Sequence, residues 1–224
     1  MIPIRDENPT RKTPLITYLF ILVNVIVFIF QTLFGSQSST MAYEFALVPN
    51  RFLNNPSLGN VLNIFSSMFM HAGLAHIGGN MLYLWIFGDN VEDAMGKGRY
   101  FIFYIIGGIT ASLTHILTNP SSQIPTVGAS GAIAAVLGAY LILYPRQRVV
   151  TIIPLGFFMR ITMLPASLVL GMWFVLQFFQ GVMTLGGPDM GGVAFWAHIG
   201  GFVAGVVLAN LFEQTNYKTS RQTW

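Results

Sequence analysis

GVAFWAHIGGFVAGVVLANLF, residues 192–212, contains no Asp, Glu, Lys or Arg. About 20 apolar residues are enough to cross the hydrocarbon core of a bilayer, so the stretch predicts a transmembrane helix. Ala197, Gly201 and Gly205 recur every four residues within it, and small residues at this spacing let another helix approach closely. The same stretch carries His198, and an ionisable side chain at membrane depth is costly enough to indicate a function.

The whole chain has the composition of a membrane protein. Its 224 residues are 54% hydrophobic and 8% charged, whereas soluble domains carry about 25% charged residues. Six stretches are apolar enough to serve as spans, and they cover residues 14–34, 75–88, 98–118, 128–144, 161–183 and 192–212. We therefore predict an all-α, polytopic membrane protein built as a bundle of six transmembrane helices. The absence of cysteine excludes disulfides and cysteine nucleophiles.

Basic residues are distributed unevenly among the segments that flank these spans. Every Lys and Arg except Arg51 lies before the first span, between the second span and the first residues of the third, after the fourth or after the sixth. Because positive charge marks cytoplasmic segments, both termini are predicted to be cytoplasmic. The predicted organisation is a cytoplasmic segment at 1–13, a six-helix domain at 14–212 and a cytoplasmic tail at 213–224. The net charge of +3 favours anionic lipids, and not nucleic acid, as a partner.

Three spans that enter from the outer side carry polar residues at similar depth. His76 and Asn80 are four residues apart near the start of the second span, so they share a helix face. Ser130 follows Gly128 at the start of the fourth span, and His198 lies in the sixth. Each feature alone has an ordinary explanation, since a serine can cap a helix and a polar pair can join two helices. Their convergence in one leaflet favours nucleophilic catalysis, in which an imidazole activates a serine hydroxyl.

The fourth and sixth spans are expected to be close neighbours. Ser130, Ala134 and Gly138 form a ridge of small residues on the fourth span, comparable to the ridge on the sixth. Packing of one ridge on the other would hold the serine hydroxyl within reach of the imidazole.

Other hydrolytic chemistries fit the residues less well. A zinc helix of the His-Glu-x-x-His type needs histidines four apart, whereas His71 and His76 are five apart with no carboxylate between them. An aspartyl protease needs two acids within the membrane, but Asp89 and Asp93 stand at the cytoplasmic end of the second span. No acid lies in a span near His198, so we predict a serine–histidine dyad with no metal and no other cofactor.

Three motifs resemble, in this order, the signature of rhomboid intramembrane serine proteases: HAGLAHIGGN at 71–80, GASG at 128–131 and AHIGGFVAG at 197–205. The resemblance covers essentially the whole chain. It implies that Ser130 attacks the scissile carbonyl and that His198 acts as the general base. It also implies that His76, Asn80 and the backbone amide of Ser130 bind the oxyanion.

The resemblance further implies the surroundings of such a site. Substrates would be transmembrane segments of other membrane proteins, cut from the extracytoplasmic side of a prokaryotic-type cell membrane. The loop 186–192 is expected to act as a lid, and Trp173 on the fifth span lies either beside a lateral entrance or against lipid. Four glycines are expected to allow the close packing around the dyad: Gly128, Gly131, Gly201 and Gly205.

Two positions depart from the family pattern. Leu62 and Asn63 stand where many members carry Trp-Arg, which implies a different setting of the outer loop in the membrane interface. Ala134 stands where many members have an aromatic residue that stacks on the catalytic imidazole. Either another side chain replaces that contact, or His198 is less firmly held.

The sequence leaves two other classes of function open. A catalytically silent relative would keep the fold and bind membrane segments, although Ser130, His198, His76 and Asn80 are all present. A small transporter is disfavoured because no Asp, Glu, Lys or Arg lies near the middle of a span. The residues favour no particular oligomeric state.

Overall fold

The computed structural model describes residues 1–34, 43–156, 158–185 and 192–215. Its main helices are α1 (Leu15–Leu33), α2 (Pro49–Asn54), α3 (Leu58–Ser67), α4 (Leu74–Met95), α5 (Lys97–Thr118), α6 (Ser130–Leu143), α7 (Ala166–Thr184) and α8 (Phe195–Phe212). Strands β1 (Ile2–Asp6), β2 (Arg148–Leu155) and β3 (Phe158–Pro165) form one antiparallel sheet in that order. The protein is therefore mostly helical.

Four helices, α1, α5, α7 and α8, are long and apolar enough to cross a membrane, judged by length and composition over the described residues. The helix at the predicted fourth span, α6, has 14 residues, fewer than the roughly 20 that a full crossing takes. The helix at the second, α4, has 22 residues, but its last turns carry several acids. A multi-pass membrane architecture is confirmed, and the count of six spans stays a prediction.

The prediction of an all-α chain is wrong at the three-stranded sheet. β2 contains a run of β-branched residues at 149–153, and such residues favour strands. Gly156, at a φ of 63°, begins the turn into β3, a conformation that glycine adopts without strain. β1 pairs with β2, so the first residues of the chain are joined to the segment between α6 and α7.

The predicted start of the fifth span, residue 161, is also wrong. Residues 161–165 belong to β3, and α7 begins at Ala166. A short apolar run does not by itself distinguish a strand from the first turns of a helix. Pro165 favours an extended conformation in the residue before it, which places the boundary there.

α6 is the central helix of the bundle, and it contacts α4, α5 and α8. Residues 131–140 of this helix are all buried. Gly201 of α8 lies directly against the backbone carbonyl of Gly131. One turn further along both helices, Gly205 lies against the carbonyl of Ala135. Neither contact leaves room for a methyl group, so the two backbones touch. Because the contacts advance in the same direction along both helices, α6 and α8 run parallel.

Glu92 of α4 fixes the start of α1. Its carboxylate accepts hydrogen bonds from the backbone amides of Ile16 and Thr17, at 3.0 and 2.8 Å, and from the Thr17 hydroxyl at 2.9 Å. α1 has no side-chain cap of its own, and a helix N-terminus attracts negative charge. The buried glutamate therefore takes the place of an N-cap and joins α1 to α4.

We expect Gly205→Ala to destabilise the protein, because the added methyl group meets the Ala135 carbonyl and forces α6 away from α8. Overpacking of this kind costs about 1–3 kcal/mol, which should lower the Tm of the detergent-solubilised protein by several degrees. Gly171→Ala on α7 is the matched control, since a methyl group there meets nothing within 4 Å. An unchanged Tm for Gly205→Ala would contradict direct backbone contact.

Candidate active site

The structure brings Ser130 and His198 together at one end of the bundle. Ser130 is the first residue of α6 and His198 lies in the first turn of α8. The Ser130 hydroxyl is 2.7 Å from Nε2 of His198. Both side chains are half-buried. A nucleophile and base of a catalytic pair must lie at such a hydrogen-bonding distance.

The second ring nitrogen of His198 has a partner that the sequence interpretation missed. Nδ1 lies 2.6 Å from Oε1 of Gln177 on α7. A carbonyl oxygen can only accept, so Nδ1 carries the proton and Nε2 is left as the acceptor for the Ser130 hydroxyl. The rule that polar residues at membrane depth indicate function applies to glutamine as well as to ionisable residues, and it would have singled out Gln177.

Trp173 lies against the same imidazole. Its ring centroid is 5.7 Å from that of His198, with 33° between the planes. Trp173 is on α7, one turn before Gln177, whereas Ala134 on α6 offers no ring. An aromatic contact to the histidine is therefore present, but it comes from a different helix.

His76 is held beside the serine by the loop before α4 and by Gly128. The backbone amide of Ala72 donates to Nδ1 of His76 at 3.3 Å, so in the neutral ring Nε2 carries the proton. A methyl group at Gly128 would lie 2.8 Å from Nε2 of His76 and 3.5 Å from the Ser130 oxygen. Gly128 has a φ of 134°, which side chains rarely adopt. Glycine thus lets the His76 N–H lie close to the nucleophile.

Two further donors belong to residues that line the same cavity as His76. Asn80, one turn after His76 on the same face of α4, is 7% exposed, and its amide nitrogen has no hydrogen-bond acceptor among the described residues. Leaving a buried donor unpaired costs about 1–3 kcal/mol, so such a group is typical of a binding site. The first hydrogen bond of α6 runs from Ile133 to Ala129. The Ser130 amide therefore lies outside the helical hydrogen-bond ladder, at the positive end of the helix.

A cavity of about 1240 Å³ contains these groups. Ser130, His198, His76, Asn80 and Trp173 all line it. The described residues of its wall include many hydroxyl, amide and imidazole groups but no Asp, Glu, Lys or Arg. A space this large, with polar groups in its wall, is able to hold water beside the serine.

The segment before α4 is tied together by Asn63. Its amide nitrogen donates to the backbone carbonyls of Glu44 and Ala46, at 2.8 and 3.1 Å, and it is 6% exposed. Leu62, in contrast, is 53% exposed. Of the two residues that depart from the family pattern, Asn63 thus holds the segment and Leu62 faces outward. The expected lid at 186–192 lies outside the described residues except for its last position.

Comparison with known proteins gives a single family. A profile of the Rhomboid domain matches residues 58–214. Rhomboid protease GluP of Bacillus subtilis is 33% identical over 129 residues, which are 57% of this chain and 24% of that protein. Rhomboid protein 1, mitochondrial, of Saccharomyces cerevisiae is 33% identical over 92 residues, 39% of this chain and 27% of that protein. This chain thus spans about a quarter of the length of these two relatives.

A longer match is found in a mammalian relative. Rhomboid-related protein 2 of Mus musculus is 28% identical over 234 aligned residues. The alignment covers 96% of this chain and 74% of that protein. The similarity therefore extends well beyond the three motifs that line the cavity.

His71 is buried in the loop before α4. It is 3% exposed, and neither ring nitrogen has a hydrogen-bond partner among the described residues. Its ring centroid is 5.1 Å from that of His76, and its backbone amide donates to Oε1 of Gln31 at 3.0 Å. Burial, together with the nearby His76, lowers the pKa of His71 from 6.5 to about 4.

We expect acidification from pH 6.5 to 4 to destabilise the protein through His71. In this interval the unfolded chain binds a proton at His71 and the folded chain does not, so stability falls as pH falls. His71→Leu should show a weaker fall in Tm between pH 6.5 and 4 than the unsubstituted protein. The comparison is referenced to pH 8, where the histidine is neutral in both states. Parallel Tm curves for the two proteins would be evidence against this linkage.

Proposed function

Because the chain belongs to the rhomboid family, we propose that it is an intramembrane serine endopeptidase. The observation that carries the proposal is the 2.7 Å contact between the Ser130 hydroxyl and Nε2 of His198. That contact lies in a cavity whose wall includes hydroxyl, amide and imidazole groups, within a bundle of membrane helices. The substrates would be transmembrane segments of other membrane proteins, and the reaction would be hydrolysis of a peptide bond.

The proposed reaction follows from the direction of the hydrogen bonds. As the Ser130 oxygen bonds to the scissile carbonyl carbon, its proton passes to Nε2 of His198. The resulting imidazolium then gives this proton to the departing amine nitrogen as the carbon–nitrogen bond breaks. A water molecule from the cavity attacks the ester in the same way, which releases the acid and restores the serine. His198 begins and ends neutral.

The negative charge of the tetrahedral intermediate requires donors, and three N–H groups belong to residues that line the cavity. They are the backbone amide of Ser130, Nε2–H of His76 and the side-chain amide of Asn80, whose nitrogen has no other described acceptor. Donors fixed before the reaction stabilise developing charge without reorganisation, and their effect is larger where the dielectric constant is low. These three groups are the proposed oxyanion hole.

The substrate must present an extended segment to this site. Carbonyl groups within a transmembrane helix are engaged in internal hydrogen bonds, so a scissile bond becomes accessible only where the helix unwinds. Unwinding is least costly near the end of a span, where helix-disfavouring residues lie close to water. We therefore propose cleavage near the extracytoplasmic end of the substrate helix.

The proposed topology has six spans with both termini in the cytoplasm. Four of these spans are the helices that are long and apolar enough to cross a membrane. α4 and α6 would be the other two. The basic residues flanking the spans support this orientation, with the site open to the extracytoplasmic side of a cell membrane. The domain boundaries follow at 14–212, with cytoplasmic segments at 1–13 and 213–224.

We expect a fluorophosphonate probe to label the detergent-solubilised protein and to leave Ser130→Ala unlabelled, because the probe reacts with an activated serine. Ser121→Ala is the matched control, since Ser121 lines the same cavity and its loss should leave labelling intact. Folded wild-type protein that takes no label would instead support a catalytically silent relative that binds membrane segments.

His198→Ala should lower the rate of cleavage of a reporter transmembrane segment by at least about a thousandfold.

Asn80→Leu tests the oxyanion hole separately. Loss of one donor should lower kcat about 10²- to 10³-fold with little change in KM, because the contact forms only with the charged intermediate. The Tm should stay the same or rise, since the amide nitrogen has no hydrogen bond to lose within the described chain. Reporter cleavage kinetics and thermal melting measure the two effects. An unaltered kcat would exclude Asn80 from the oxyanion hole.

A further inference from the structure

Gln177 is a polar residue in the middle of an otherwise apolar stretch of α7. The neighbouring residues from 172 to 179 are Met, Trp, Phe, Val, Leu, Phe and Phe. A primary amide in such surroundings is costly unless its polar atoms are engaged. Its oxygen is engaged by Nδ1 of His198 at 2.6 Å. The bond therefore satisfies the amide oxygen and fixes the imidazole at the same time.

We infer that Gln177 is the positioning residue of the base, holding His198 in the tautomer and orientation in which Nε2 accepts the Ser130 proton. This inference rests on the proposed function. A neutral imidazole has two tautomers, and only the one protonated at Nδ1 can accept from Ser130 at Nε2. No carboxylate among the described residues takes this place beside Nδ1 of His198. The amide oxygen of Gln177 therefore selects that tautomer.

An amide has a specific advantage over a carboxylate at this depth. A carboxylate in the same place would bring a full negative charge into the membrane and would hold the imidazolium strongly. The amide oxygen selects the tautomer through a single neutral hydrogen bond. His198 is thereby oriented, and no opposing charge holds its imidazolium when it returns the proton to the leaving group.

Trp173 reinforces this arrangement from the same helix. Residues four apart on a helix lie on one face, so the Trp173 ring and the Gln177 amide contact the imidazole together. The contact expected from position 134 on α6 is thus replaced by two contacts from α7. Orientation of the base depends on how α7 packs against α8.

Backbone hydrogen bonds hold the start of α7, whereas side-chain contacts hold the rest of the helix. At its start, the amides of Ala166 and Ser167 donate to the carbonyls of Gln147 and Pro145, at 2.8 and 3.0 Å. Along the rest of the helix few residues are buried. Displacement of this part from α8 would break the Gln177 hydrogen bond. The base is therefore correctly oriented only while α7 is packed against α8.

Gln177→Met tests the inference, because methionine keeps the length of the side chain and removes the acceptor. We expect it to lower both the fluorophosphonate labelling rate and kcat for a reporter transmembrane segment about 10- to 100-fold, with KM nearly unchanged. Gln180→Met is the matched control: the same substitution on the same helix, at an exposed residue, should leave both rates at the wild-type value. Thermal melting of each variant confirms that the compared proteins are folded.

Gln177→Glu tests the positioning role through the pH–rate profile, which a purely structural role of Gln177 would leave unchanged. The carboxylate restores an acceptor for Nδ1, so labelling at high pH should recover relative to Gln177→Met. A negative charge beside the ring favours the imidazolium, so the acid side of the pH–rate profile should move to higher pH. A wild-type rate and profile in both Gln177 variants would overturn the positioning role alone. Absence of Ser130-dependent labelling in the wild type would overturn the proposed function, and this inference with it.

Discussion

The hydrogen bond between Ser130 and His198 depends on direct contact between the backbones of two helices. A side chain larger than hydrogen at Gly201 or Gly205 would separate α6 from α8, and a shift of one ångström removes a hydrogen bond. No hydrophobic effect drives helices together within lipid, so close van der Waals contact must supply the attraction. The glycines that let the bundle assemble are therefore the same ones that set the 2.7 Å distance at the dyad.

Much of this arrangement can be predicted from the sequence because two signals in it are strong. Small residues at a spacing of four identify helix faces that can touch, and His76, Asn80, Ser130 and His198 are polar in otherwise apolar spans. Both signals follow from the cost of separating or burying groups in lipid. The sheet could not be predicted in the same way, because the β-branched run at 149–153 is short and apolar, and hydropathy does not distinguish a strand from a helix.

The role of α7 was harder to predict for a different reason. A helix that is apolar on all sides has no marked polar face, so its sequence does not fix its rotation about its own axis. The placement of Gln177 beside His198 can be inferred only once the packing of α7 against Phe202 and Ile199 of α8 is known. The missing aromatic at Ala134 left open whether another side chain supports the histidine, and it did not indicate which helix would supply that support. Tertiary packing decides such questions.

The groups that surround the serine are all neutral at rest. His198 donates to Gln177 and accepts from Ser130, and His76 accepts from a backbone amide, so the pattern of hydrogen bonds describes two neutral imidazoles. A resting charge at this depth would be costly. The only charges required by the proposed reaction are the oxyanion and the imidazolium, which form together and a few ångströms apart. Because the low dielectric constant strengthens their mutual attraction as well as the N–H contacts to the oxyanion, a site built from neutral groups can still stabilise an ionic transition state.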